Sequence, residues 1–163
     1  MSCTLVVRNR QCAQPVNTKL VREIVCALLI EELCREDFEI GISIVGEKTM
    51  TRMNEGYLRH KGSTDVITFD YTDANRPNCL TGEIFVCLDE ALAQAPRFGV
   101  KWENELVRYI VHGILHLSGY DDKSAVARRK MKRKENRLMG RLATKFKLEQ
   151  IVPATRRAKI SAK

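Results

Sequence analysis

An α+β fold, with helices layered on a mixed sheet of about four strands (α/β layered), is the class this sequence predicts. Three observations point to it. Stretches that alternate apolar and polar residues, as strands do, interleave with stretches whose apolar residues recur at helical spacing. No glycine-rich nucleotide-binding fingerprint accompanies them. The length, 163 residues, suits a single domain able to bury a self-sufficient core.

The elements follow in order. Cys3 to Arg8 reads as a short first strand. Asn17 or Thr18 caps a helix predicted to run to about Cys34, with Leu20, Val21, Ile24, Val25, Leu28 and Leu29 inward. Phe38, Ile40, Ile42 and Ile44 alternate with Glu39, Gly41 and Ser43, the pattern of a half-buried strand. Glu47 to Tyr57 is a shorter helix with Met50 and Met53 on one side, and Val66 to Tyr71 is the next strand. Asp, Asn, Pro and Thr enrich residues 72–81, which read as a loop before a strand from Ile84 to Leu88. Asp89 is expected to cap a helix ending near Phe98 and Gly99. Trp102 to Leu117 forms the next helix, and Ser124 caps a last one to about Leu142. The domain is predicted over residues 1–150, with residues 151–163 a mobile basic tail.

Hydrophobic residues make up 44% and charged residues 29%, an ordinary soluble balance, and no apolar run is long enough for a membrane span. The first residues lack the charged start and long apolar core of a signal peptide, so a cytoplasmic setting is expected. The six cysteines form no C-x-x-C pair and sit mostly in apolar stretches, which predicts packing thiols rather than disulfides or metal ligands. The net charge of +8 is unevenly spread. Residues 123–163 carry 15 Lys and Arg against 2 acids, whereas the rest carries 13 against 18. A basic C-terminal segment beside a mildly acidic body is the footprint of a polyanion binder.

The most informative stretch is His112-Gly-Ile-Leu-His116-Leu-Ser-Gly119-Tyr120-Asp121-Asp122. Leu106, Tyr109, Ile110, Gly113, Ile114 and Leu117 set a helical apolar face just before and through it. Histidines four apart share a helix face and can direct their imidazoles at one transition-metal ion. Gly119 can adopt φ > 0, end the helix and turn the chain back, so that Asp122, or its neighbour Asp121, brings a carboxylate to the same spot. Three such ligands leave zinc an open coordination position. The spacing matches the long zinc motif of metzincin peptidases, except that Gly113 stands where they carry the glutamate base.

This stretch closely resembles the signature of the YbeY-type endoribonucleases. Three further pieces in the same order support the resemblance: Asn54-Glu55-Gly56-Tyr57-Leu58-Arg59, Thr64-Asp65-Val66-Ile67-Thr68-Phe69 and Gly82-Glu83-Ile84. Together they span roughly residues 40–125. The resemblance implies a zincin-like mixed sheet with a metal at one end of a long groove. It implies a zinc-dependent endoribonuclease that prefers single strands and acts in small-subunit ribosomal RNA maturation and ribosome quality control. The expected partners are ribosomal RNA, the small subunit and ribosome-associated proteins. One departure stands out: the family's third ligand is a histidine, and this chain has Asp122.

The expected ligands are therefore His112, His116 and Asp122, with one Zn2+ per chain. Arg59 matches the family's arginine and would hold a phosphate bidentately, acting with His112 and His116 in catalysis. Asp65 either orients a ligand or caps its strand. Tyr120 either meets substrate or packs. Arg129 and Lys130, within the run Arg128-Arg129-Lys130 and Lys132-Arg133-Lys134, would bind RNA with salt-dependent affinity. His60 reads as exposed loop. Two alternatives come from other classes: a metallopeptidase, and a non-catalytic metal-stabilised RNA-binding factor of ribosome assembly.

Overall fold

The computed structural model describes residues 1–154. Four strands, β1 (Cys3–Asn9), β2 (Phe38–Val45), β3 (Val66–Asp70) and β4 (Leu80–Cys87), form one sheet in the order β1-β2-β4-β3. β1, β2 and β4 are parallel, and β3 runs antiparallel along β4 at the edge. The predicted mixed four-stranded sheet is therefore present. The central strands carry its apolar weight: Ile40, Ile42, Ile44, Ile84 and Val86 are all buried, with Ile42 in register with Ile84.

Among the described residues, five α-helices pack around the sheet: α1 (Thr18–Ala27), α2 (Glu47–Tyr57), α3 (Leu88–Gln94), α4 (Trp102–Leu117) and α5 (Ala125–Lys145). Asn17 caps α1, its side chain accepting from Leu20 N at 3.1 Å. The helix expected to reach Cys34 instead widens into a π-helical turn over Leu28–Glu32. That extra residue per turn keeps both Leu28 and Leu29 in the core and leaves Glu31 and Glu32 outside, where they pair with Lys145 and Arg141 of α5.

Three further expectations change. β4 begins at Leu80 rather than Ile84, because Leu80 N bonds Asp37 O and the Thr72 hydroxyl accepts from Thr81 N, extending the ladder into the presumed loop. Asp89 does not cap α3. Its carboxylate accepts from Glu47 N at 2.6 Å and so caps α2 from across the fold. Pro96 cannot supply an amide to a continuing α-helix, and the chain tightens to a 3-10 turn over Ala95–Phe98 that ends at Gly99 in the left-handed region. α5 starts as expected from the Ser124 cap, which accepts from Ala127 N at 3.0 Å, and runs on to Lys145.

Two apolar clusters result. The larger joins β1, β2 and β4 with α1, α4, α5 and the 3-10 turn Leu148–Ile151, whose Ile151 carbonyl accepts from Asn17 N at 2.8 Å. The smaller gathers Val45, Met50, Ile67 and Cys87 beneath α2. α4 lies close against β3 and β4. A Cβ at Gly113 would sit 2.8 Å from Ile84 Cγ2, so any side chain at position 113 would force Ile84 to shift. Of the cysteines expected to pack, Cys79 and Cys87 are buried and Cys26 half-buried, but Cys3, Cys12 and Cys34 are exposed; all six are free thiols. Cys3 lies on an edge strand, Cys12 in the loop after it and Cys34 just past the π-helical turn, so apolar neighbours in sequence do not bury those three. Of the predicted basic tail, residues 155–163 lie outside the described residues.

Candidate metal centre and its groove

The last turns of α4 place His112 and His116 one above the other, with ring centroids 4.6 Å apart. Each ring is fixed through its Nδ1. His116 Nδ1 lies 3.1 Å from the Tyr120 carbonyl oxygen, and His112 Nδ1 lies 3.0 Å from Glu135 Oε2. Both partners are acceptors only, so each Nδ1 carries the proton and donates. Both Nε2 atoms are then lone-pair bearers, and they face each other at 3.0 Å. Two lone pairs at that distance repel unless a proton or a metal ion lies between them.

The turn after α4 supplies a third donor. Gly119 takes φ 100°, and Tyr120 N bonds back to Leu115 O at 3.0 Å. The reversal brings Asp122 Oδ2 to 4.0 Å from His112 Nε2 and 3.8 Å from His116 Nε2. One ligand atom from each of His112, His116 and Asp122 falls within 4.8 Å of the others, so the three can hold a metal ion. Two imidazole nitrogens and one carboxylate oxygen suit zinc at an open site. Asp121 is used differently: its carboxylate accepts from Lys123 N at 3.0 Å and closes the turn. His60 is exposed and stands outside the cluster.

Glu135 escaped the sequence reading. It is 4% exposed and lies on α5 within the basic run, yet at the inward positions shared by Met131, Leu138 and Leu142. An acid on the apolar stripe of an amphipathic helix was the available signal. Its other oxygen accepts from Arg108 at 2.7 Å and lies 3.4 Å from Lys132 Nζ. Burial pushes the Glu135 carboxyl up, but the hydrogen bonds from His112 and Arg108, with the charge of Lys132, outweigh it and bring its pKa to about 2. The bond to Glu135 in turn raises His112 above the ordinary histidine range, against burial.

The other expected residues divide. Arg129 and Asp65 line the groove that contains His112 and Asp122. Asp65 accepts from Val66 N at 2.9 Å and so also caps β3. Tyr120 packs partly into the core and serves the site through its carbonyl, while Lys130 Nζ sits 5.7 Å over its ring. Arg128 donates to Asp122 O at 3.2 Å and steadies the turn. Arg59 follows α2 at φ 56°, exposed, and is not among the residues lining this groove.

A model of the family described as Endoribonuclease YbeY matches residues 6–143. The chain belongs to the YbeY family. A protein named Endoribonuclease YbeY from Bacteroides thetaiotaomicron is 39% identical over 101 residues, covering 62% of this chain and 72% of that one. Its namesake from Chlorobium luteolum is 36% identical over 108 residues, covering 66% and 77%. A solution structure from Thermotoga maritima superposes with a TM-score of 0.59 at 23% identity, covering 93% of this chain and 99% of that one, and bears on the fold. YbeY membership agrees with the α+β architecture and with the resemblance carried by the His112–Asp122 stretch.

Proposed function

We infer that this chain is a zinc-dependent endoribonuclease that cuts single-stranded RNA, acting on ribosomal RNA in maturation and quality control of the small subunit. The observation that carries this reading is the pair of facing Nε2 atoms, each imidazole locked through Nδ1, with Asp122 completing a three-donor set. Membership of the YbeY family supports the RNA substrate.

His112, His116 and Asp122 would hold the ion, which supplies Lewis acidity toward a phosphodiester. Glu135 and the Tyr120 carbonyl hold the two imidazoles in the tautomer that binds metal. Arg129 and Lys132 line the groove and offer charge to the RNA backbone, and Arg128 steadies the Asp122 turn. Arg59 would clamp a phosphate with its planar fork, reaching the RNA from the turn after α2. No described helix is long and apolar enough to cross a membrane.

The peptidase reading loses its base: Gly113 faces Ile84 and Thr68, and no glutamate fits there. A cleavage assay on single-stranded RNA, with and without chelator and with zinc restored, run beside a casein digest, tests the proposal. RNA cleavage that stops on chelation, returns with zinc and is lost in His116→Ala supports it. RNA binding without cleavage at any metal loading would assign the chain to assembly instead.

A further inference from the structure

The groove that holds His112 and Asp122 continues along the seam between α4 and α5 to a volume of about 920 Å3. A phosphate and one ion need only a small part of that space, which lies in the range of pockets that enclose a whole small ligand. Its chemistry changes along its length. Near the metal donors the rim is cationic, with Arg128, Arg129 and Lys132. Past Arg108, which also bonds Asn136 at 2.8 Å, the lining turns apolar: Val100, Met139, Ala143 and Leu148.

Phe98 stands at this apolar end. It is 67% exposed, belongs to neither core cluster, and sits on the 3-10 turn that Val100 N ties to Ala95 O at 3.1 Å. A large ring held in solvent on a structured turn gains nothing for the core. Two buried polar side chains lie on the same wall. Tyr109 is 5% exposed and its Oη, shut off from solvent, makes no well-formed hydrogen bond among the described residues; Glu105, also 5% exposed and one helical turn earlier, is near enough to act on it. Burial and the Glu105 charge push the Tyr109 phenol well above its ordinary range, so it remains a donor.

A fitting ligand therefore carries an anion at one end, a flat apolar body and polar edges. A nucleotide of a single strand has all three. We propose that the apolar end of the groove is a nucleobase pocket, in which Phe98 stacks on one base of a strand whose backbone is held at the metal end. The pocket rests on the reading that RNA is the substrate, and it adds how the strand is gripped: by one splayed base as well as by its backbone charge.

The test is a thermodynamic cycle on the full-length zinc protein. Affinity for a short single-stranded oligoribonucleotide is measured by fluorescence anisotropy in samples checked for intact strand. The same strand carrying one abasic site, moved through every position, is compared. Phe98→Ala should weaken the intact strand about 5- to 150-fold, the range for loss of one stacked base. Removing the base at one position should weaken the parent similarly and leave Phe98→Ala unchanged, whereas Phe98→Trp should bind like the parent. Parent-like binding by Phe98→Ala, or losses that simply add at every position, overturns the pocket. If the parent cleaves RNA while Phe98→Ala binds as well as it does, the pocket falls and the nuclease reading stands. A Phe98-dependent, base-dependent interaction without cleavage keeps the pocket and discards the nuclease.

Discussion

Glu135 Oε2 accepts the Nδ1 proton of His112 at 3.0 Å, while the other oxygen of the same carboxylate is fixed by Arg108 at 2.7 Å. A residue on α5 thereby sets the tautomer of a ligand on α4. Loss of such an outer partner costs metal sites about 10- to 100-fold in affinity. Glu135→Ala should fall in that range, measured by competition with a chromophoric chelator. Glu135→Gln should lose less, because its amide oxygen still accepts from Nδ1. Unchanged zinc affinity in Glu135→Ala would mean that α5 only packs.

Asp122 and Asp121 should separate cleanly. Asp122→Ala removes the third donor and should lower zinc affinity by at least about 100-fold, beyond the usual loss of an outer partner. Asp122→His restores the donor that the family resemblance implies and should bind zinc at least as well as the parent. An imidazole is neutral where the carboxylate is anionic, so the site's charge rises by one and the pH optimum of cleavage should move down. Asp121→Ala should keep its metal, since its carboxylate serves Lys123 N. Metal analysis of the three proteins decides the register.

Gly113→Ala should be destabilised although alanine favours helices. The new Cβ would meet Ile84 Cγ2 at 2.8 Å and Thr68 Oγ1 at 3.1 Å. Overpacking of this kind costs about 1–3 kcal/mol. Improved helix propensity offsets up to about 1 kcal/mol of it. Urea denaturation should show a lower midpoint with the same slope; an equal or higher midpoint would mean that the sheet yields freely.

Asp37 predicts an acid dependence. The hydrogen bond from Ser2 N at 2.8 Å, then the Cys79 side chain and the Arg76 guanidinium, outweigh desolvation and hold its carboxyl below the ordinary value of 3.8. A carboxyl depressed in the folded state stabilises above its unfolded pKa, and that contribution fades as pH falls through the folded value. Asp37→Asn should therefore be less stable than the parent near neutral pH, with the gap closing below about pH 4. Denaturation curves at several pH values check the convergence; a constant gap would assign the effect to packing.

Local signals carried most of the fold. Alternation in β2 and the helical stripe of α4 were legible because each element buries one face against its neighbours. The departures came from partners distant in sequence. Asp89 looked like a cap for its own helix, yet the nearest free amide in space belongs to Glu47. The early start of β4 depended on Asp37 and Thr72 reaching it. At the site, the donors on one helix and its turn were readable from spacing. Glu135 was hidden because it meets His112 only once α5 folds back along α4, and its neighbours Arg133 and Lys134 dominate the local composition.

The smaller apolar cluster beneath α2 has a consequence for how the molecule breathes. Val45, Met50, Ile67 and Cys87 are few, whereas α4 is embedded in the large cluster on several sides. Amide hydrogen exchange in α2 should accordingly proceed through partial openings that leave α4 protected, with protection ranked from β2, β4 and α4 down to α2. Arg59 follows the end of that more readily released helix, and the two metal-binding histidines ride on the better embedded one. A strand of RNA touching both would bridge two regions of unequal local stability, and its binding should slow exchange most in α2.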